Sequence, residues 1–340
     1  MSKSNEEILK TINKDSEFVA DWMKELENRL AIIIPCYNES DILQITLDSL
    51  KTIVTNYISD YKLNRKSFIL IVDDGSSDNS WEIIKKNTDE DDIFKGIRLS
   101  KNFGHQHALI AGLKKAHDIC DIAITIDADL QQDPNTMGRM IQLFFDGNEI
   151  VYGVRENRIG DSVLKKYFSK LYVSFINILG GNLIRGHADY RLMGKKSLNA
   201  LMNYNEKDIF LRGIIPQLGF KSTIIKFKQK DRIKGYTKYS TKKMFQLAYS
   251  GLAGLTLTPL RILMIIGLAS LLISIFYIIY VLYVKYFTIQ AVPGWASIVL
   301  PIWVFGSLQL FSIGIIGEYL SRIYAEIKRR PRFIIDEETD

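Results

Sequence analysis

Two aspartates one residue apart, Asp127 and Asp129 in "TIDADLQQDP", close an apolar run and are followed by Gln131 and Pro134. On an extended segment, side chains at alternate positions share a face, so these two carboxylates are expected to point the same way. Hard oxygen ligands of this kind suit Mg²⁺ or Mn²⁺, and Mg²⁺ usually takes one or two carboxylates and completes its shell with substrate phosphates. The expected chemistry is Lewis-acid neutralisation of charge on a leaving diphosphate. A second acidic pair, Asp73 and Asp74 in "VDDGSSD", ends another apolar run, and Asp78 stands where a helix would begin. Asp78 therefore reads as a cap for free backbone N–H groups. His105, His107, His117 and His187 do not form a metal pattern: the first two are two apart and face different sides of a helix. They read as surface or packing residues.

Acids placed this way need strands that stop beneath them. "LAIIIP", "FILIVDD", "GIRLS" and "IAITIDAD" are short apolar runs, separated by segments with helical periodicity: one marked by Ile42, Leu47 and Leu50, one begun near Asp78, and "QHALIAGLKKAHD". A further helix is expected to open at Pro134, a residue favoured in the first turn. Strands alternating with helices predict an α/β fold, a mostly parallel sheet covered on both faces. In such sheets the ligand crevice lies beyond the carboxyl ends of the strands, where the acids stand. After Tyr152 the sheet pattern weakens.

The charge distribution divides the chain. Up to about residue 250 charged residues recur every few positions, whereas 262–284 and 291–317 contain none. Each run exceeds the roughly 20 residues needed to cross a bilayer. Arg261 precedes the first, and Arg322, Lys328, Arg329, Arg330 and Arg332 follow the second. The positive-inside rule then puts both ends and the large N-terminal part in the cytoplasm of a multi-pass plasma-membrane protein. The expected organisation is a helical extension over 1–28, a catalytic domain over 29–240, a juxtamembrane amphipathic helix over 241–260, two spans over 261–318 (about 262–284 and 294–317) and a basic tail over 319–340. No signal peptide is visible. Cys36 and Cys120 are lone cysteines beside apolar runs and read as structural. The net charge of +6 sits beside the membrane runs, and no nucleic-acid motif accompanies it, so anionic lipid is the expected partner rather than nucleic acid.

"PCYNE", "VDDGSSD", "NFGHQHALIAGL", "DADLQ", "YGVRENR", "DYRLM", "FLRG" and "RIKGYTKYS", followed by paired apolar runs, together resemble family 2 glycosyltransferases of the GT-A fold. The resemblance is strongest to the polyprenyl-phosphate branch, which includes dolichol-phosphate mannose synthases and bacterial undecaprenyl-phosphate glucosyltransferases. It covers the chain from Leu30 to about Arg332. It implies inverting transfer of one sugar from a nucleotide-sugar, a UDP-hexose, to a polyprenyl phosphate at the cytoplasmic membrane face, for cell-envelope glycan modification. By the same resemblance Pro35, Tyr37, Glu39, Asp74 and Asp127 would hold the donor nucleotide, with Asp74 on the base. Asp127, Asp129 and Gln131 would face the metal and diphosphate. Arg155, Lys165, Arg232 and Lys238 would hold the acceptor phosphate, and Asp189 is a candidate catalytic acid that Arg191 could simply pair. Glu206 and Asp208 lie where many such enzymes carry a base, and a solvated or helix-capping role is the alternative for both. A homo-oligomer, a tetramer as in relatives, is also implied. Two positions depart from the family pattern: Gln132 stands where Asp is frequent, and His105 where lysine is common. The alternatives are a membrane-tethered nucleotide-sugar binder without turnover and a polysaccharide synthase, although the synthases' "QxxRW" motif is absent.

Overall fold

The run Leu30–Cys36 is buried along all seven of its residues, as only a strand covered on both faces can be. In the computed structural model, which describes residues 28–61, 63–156, 186–207, 209–229 and 294–339 and scattered positions at 174, 184 and within 266–287, this run is β1. The other strands are β2 (Phe68–Asp73), β3 (Phe94–Leu99), β4 (Ile122–Thr125), β5 (Ile150–Arg155), β6 (His187–Gly194), β7 (Ser222–Phe227) and β8 (Ile335–Glu338). The helices are α1 (Ser40–Asp60), α2 (Ser80–Glu90), α3 (His105–Ile119), α4 (Thr136–Phe145), α5 (Lys195–Met202), α6 (Leu211–Gln217) and α7 (Gly294–Ile327). Calls on the extension 1–27, on 241–260 and on most of 262–284 lie outside the described residues.

One sheet of eight strands runs β7-β5-β6-β4-β1-β2-β3-β8. The expected parallel arrangement holds for its centre, where β1 pairs in parallel with β2 and β4, and β2 with β3. Beyond that centre the sheet is mixed: β6 runs antiparallel to both β4 and β5, β7 is parallel to β5, and β8 closes the far edge antiparallel to β3. The segment expected as a basic tail thus divides, with 319–327 continuing α7 and 335–338 supplying β8. Antiparallel pairing brings the start of β6 and the end of β5 to the same edge as the ends of β1, β2 and β4. That edge is where such sheets place their ligand crevice.

Alternate residues of the strands feed two cores. On one face Ile32, Ile34, Ile69 and Ile71 meet Leu43, Leu47 and Leu50 of α1, Trp81 and Ile84 of α2 and Met137, Met140 and Ile141 of α4. On the other, Ile33, Leu70, Val72 and Met193 meet Leu109 and Leu113 of α3, Leu198 of α5 and Ile214 of α6. Each fully buried Leu or Ile stabilises the fold by roughly 1.5–3 kcal/mol, so these cores hold the crevice rigid. Gly112 lets α3 approach β1 closely, because a Cβ there would overlap the Ile33 side chain. Cys36 and Cys120 are buried and unbridged, in keeping with a structural role.

The chain divides into two compact units: Met1–Ser174 with Asn182–Tyr239 and Pro331–Asp340, and Phe175–Gly181 with Ser240–Arg330. The second holds α7, 34 residues long and without a charged side chain before Glu318. Ile298 and Ile302 are 60% and 63% exposed on it. Among the described residues no helix is long and apolar enough to cross a membrane; several α7 side chains lie outside that set.

Candidate active site

Asp73 and Asp74, adjacent in sequence, go to opposite tasks. Asp73 ends β2 facing the α2 core, fully buried, and its carboxylate accepts the Ser76 N–H at 3.1 Å. Asp74 lies beyond the strand and accepts two backbone N–H groups, from Phe103 at 2.7 Å and Gly104 at 2.8 Å, fastening the start of α3. Burial raises the pKa of both above the ordinary carboxylate value, against the lowering effect of these hydrogen bonds. The turn between the loops depends on Gly75: its φ is +67° and a Cβ would overlap the Lys101 backbone.

The loop after β1 carries Tyr37, Asn38 and Glu39, and its backbone is held from the second loop. Asn38 N–H donates to Ser76 Oγ at 2.9 Å, and Glu39 N–H to Ser80 Oγ at 3.1 Å. Asp78 accepts N–H groups from Ser40 at 3.0 Å and Ser80 at 3.1 Å, so it caps the first turn of α1 as well as α2. Those hydrogen bonds outweigh its burial and lower its pKa. Pro35 lies within β1 and Tyr37 is 38% exposed at the crevice edge.

At β4 the chain leaves the extended state sooner than the spacing implies. The strand ends at Thr125, one more ladder bond joins Ile126 N–H to Ile33 O at 3.0 Å, and Asp127 to Gln132 form a turn with Leu130 at φ +54°. The expectation of an extended segment beneath Asp127 and Asp129 therefore fails. Thr46 of α1 holds the turn from below through Ala128 O at 2.7 Å. Gln132, buried, folds back onto Asp127: its Oε1 accepts the Asp127 N–H at 2.9 Å and its Nε2 donates to Asp127 Oδ2 at 2.5 Å. Asp129 Oδ1 accepts the Gln131 N–H at 3.2 Å. Gln131 Oε1 accepts Nε2 of Gln229 at 2.6 Å, which ties the residues just after β7 to this loop.

His105 is not a surface or packing residue. Its Nε2 lies 3.4 Å from Asp189 Oδ2 and 3.8 Å from Asp127 Oδ1, bridging the β4 turn to β6. Burial lowers its pKa, but the hydrogen bond to Asp189 and the two carboxylate charges outweigh that and raise it. Asp189 is 1% exposed and accepts from Arg191, from Arg212 Nη2 at 2.7 Å and from Gln106 Nε2 at 3.3 Å. Burial raises its pKa, yet Arg212, His105 and Arg191 prevail and hold the carboxyl well below its ordinary range. Two guanidinium groups and an imidazole converge on one carboxylate, leaving the cluster cationic. Among the described residues, both ring nitrogens of His187 and Nε and Nη1 of Arg191 are buried and have no hydrogen-bond partner. Arg155 ends β5 at this same edge, beside the irregular register between Tyr152 and Val154.

The structure thus brings Asp127, Asp129, Gln131, Asp189 and Arg155 to one edge, with Pro35, Tyr37, Glu39 and Asp74 on neighbouring strand ends. Lys165, Arg232, Lys238 and Asp208 lie outside the described residues, and Glu206 is exposed. Sequence reasoning did not find Gln132, Arg212 and Gln106 as partners of these acids, nor Gln229 as the partner of Gln131. Only the departures at His105 and Gln132 signalled that the loop differs here.

Residues 31–203, just over half of the chain, match the family model of glycosyl transferase family 2. The chain belongs to glycosyltransferase family 2. Its similarity extends over nearly its whole length to a glycosyltransferase, YkoT, of Bacillus subtilis (strain 168), 40% identical over 92% of this chain and 93% of that one. The bactoprenol glucosyl transferase of Shigella phage SfX is 28% identical over 90% of this chain and 98% of its own. Among solved structures, the mannosyltransferase PcManGT from Pyrobaculum calidifontis, in complex with GDP-Man and Mn²⁺, is similar at a TM-score of 0.41, with 15% identity over 86% of this chain and 87% of that one.

Among the described residues no group of three or more His, Cys, Asp or Glu is arranged to hold a metal ion. The donor set nevertheless fits a divalent cation whose shell is completed by phosphate. Asp127 and Asp129 carry oxygens of the kind such a cation takes, and the pKa of Asp127, raised chiefly by burial, is pushed up further by the charge of Asp129. Gln131 is a less ready third ligand, because its carbonyl oxygen already accepts from Gln229.

Proposed function

We propose that this family 2 member transfers a single sugar from a nucleotide-sugar, a UDP-hexose, to a polyprenyl phosphate at the cytoplasmic face of a membrane. The observation that carries this reading is the meeting of the Asp127 turn with the cationic Asp189 cluster at one strand edge. The printed name of the bactoprenol glucosyl transferase relative supports the acceptor class. The uncharged stretch of α7 and the basic residues after it support a membrane position, with the catalytic unit on the positively flanked side.

A phosphate acceptor changes what the protein must do. A phosphate monoester with a second pKa near 6 is already mostly dianionic at neutral pH, so attack requires positioning and charge screening rather than proton removal. Asp189 suits that division: held ionised by Arg212 and Arg191, it is a poor proton acceptor and a good anchor for the cations around it. Arg155, at the end of β5, supports an anion at this edge. Asp127 and Asp129 would hold Mg²⁺ or Mn²⁺, which when bound supplies Lewis-acid stabilisation of the departing diphosphate. Pro35, Tyr37, Glu39 and Asp74 line the strand ends proposed for the nucleotide, while Lys165, Arg232 and Lys238 complete the proposed acceptor contacts.

The test is transfer of labelled sugar from UDP-glucose, UDP-N-acetylglucosamine or UDP-galactose to undecaprenyl phosphate by the purified full chain with Mg²⁺ or Mn²⁺. A labelled, EDTA-sensitive glycolipid is the expected product. Nucleotide binding without product from any donor would favour a non-turnover binder and defeat the proposal.

A further inference from the structure

Four strands share one cross-sheet row. Cys36 of β1 pairs in register with Asp73 of β2, Asp73 with Arg98 of β3, and Arg98 with Glu337 of β8. Register partners lie side by side on one face, so Asp73, Arg98 and Glu337 form a ladder of alternating charge. Arg98 Nε lies 3.6 Å from Asp73 Oδ2, and its Nη1 lies 3.6 Å from Glu337 Oε1. Glu337 is held in turn by Trp81 Nε1 at 3.3 Å and Lys85 Nζ at 2.5 Å. The Arg98 guanidinium also sits 5.8 Å from the Trp81 ring centroid.

The strand bearing Glu337 is fastened by its backbone as well. Thr339 N–H donates to Gly96 O at 2.9 Å, Gly96 N–H to Thr339 Oγ1 at 2.7 Å, and Ser100 N–H to Ile334 O at 2.9 Å. Inward from Arg98 the row continues into the crevice. Asp73 holds Ser76 N–H, and Ser76 Oγ holds Asn38 N–H in the Tyr37–Glu39 loop. An unbroken run of contacts therefore joins the last residues of the chain to the loop proposed for the donor nucleotide.

We propose that β8 is a working part of the donor site: Glu337, a positioning residue, orients Arg98 and through it Asp73 and the Tyr37–Glu39 loop that grips the nucleotide. The proposal rests on the donor reading given above. The ladder ion pairs are partly exposed and individually weak, so their effect is on geometry more than on stability. They act on a fully buried carboxylate, and that is where a displaced guanidinium is felt.

Calorimetric titration of the full chain with UDP, and in parallel with GDP, tests this. Glu337→Ala and Arg98→Ala are expected to weaken binding of the preferred nucleotide and raise the donor KM about three- to fivefold, with kcat and the KM for undecaprenyl phosphate unchanged. Arg98→Lys, keeping the charge, is expected to recover part of the loss. Glu337→Gln, which still accepts from Trp81 but drops the ion pairs, keeps the test valid if Glu337→Ala folds poorly. Unchanged nucleotide affinity in Arg98→Ala and Glu337→Gln, with only the melting temperature lowered, would make β8 a mere edge cover and overturn the inference. Failure of the unaltered protein to bind either nucleotide would instead remove the donor reading, and this inference with it.

Discussion

The ends of β2 and β4 look alike in sequence, each an apolar run closed by two carboxylates, yet the chain uses them differently. At β2 both acids brace the loops around the proposed nucleotide site: Asp73 and Asp74 are 0% and 3% exposed, Asp73 accepting a backbone N–H of its own loop and Asp74 two from the loop before α3. At β4 Asp127 keeps 28% of its side chain exposed and is held by a side-chain amide and faced by an imidazole. Backbone partners fix a carboxylate as part of a turn; side-chain partners hold it in place while leaving an oxygen for a ligand. The difference teaches that spacing locates acids, whereas the nature of their donors assigns their work. Asp189 is a third case, buried among cations, where the charge organises other side chains.

Substitutions at three positions would break or sharpen that contrast. Asp189→Ala leaves Arg191 buried without its counter-charge, a change that costs about 3–5 kcal/mol. A fall in melting temperature on the order of 10 °C is expected, and a fall too small to resolve would show that the cluster is not an organising centre. Because the Asp189 pKa is lowered in the folded state, its contribution is fully present above the ordinary value of 3.8 and drains away as the pH falls beneath it. The melting gap between the unaltered protein and Asp189→Asn should accordingly be wide at about pH 5, where Asp189 and the His105 it pairs are both charged, and narrow below 4. Asp74→Ala comes next, since two charge-assisted bonds to Phe103 and Gly104 are lost at a cost of about 2–3 kcal/mol. Hydrogen exchange is expected to quicken at 103–108, and unchanged protection there would contradict the scaffold role. Gln132→Ala should be the mildest: melting near that of the unaltered protein, with transfer reduced about tenfold because Asp127 loses its clamp.

The centre of the fold was legible because β1, β2 and β4 are buried on both faces and read as unbroken apolar runs. The outer strands were not. β6, "HADYRLMG", is buried throughout, but its alternate residues His187, Asp189 and Arg191 are polar, and the pairing of Asp189 with Arg191 that lets them be buried conceals the strand. β8, "IDEE", has almost no apolar signal, since ion pairs and backbone bonds hold it to the sheet edge. α4 begins at Thr136 rather than Pro134, because Pro134 and Asp133 form the turn whose carbonyls accept the Met137 and Thr136 N–H groups. In the site, Asp127 and Asp129 could be named from spacing alone. The back-folding of Gln132 depends on the left-handed turn at Leu130, and the engagement of His105 and Arg212 depends on packing between distant segments, which no local pattern encodes.

Asp127→Asn separates the two uses of strand-end acids most directly, because it keeps the shape of the side chain and its acceptor for Gln132 while removing the charge. Melting temperature and labelled glycolipid formation should be measured on one preparation. The account predicts melting within about 2 °C of the unaltered protein and transfer reduced at least about 100-fold. Near-normal transfer, or a melting loss as large as that of Asp74→Ala, would contradict it.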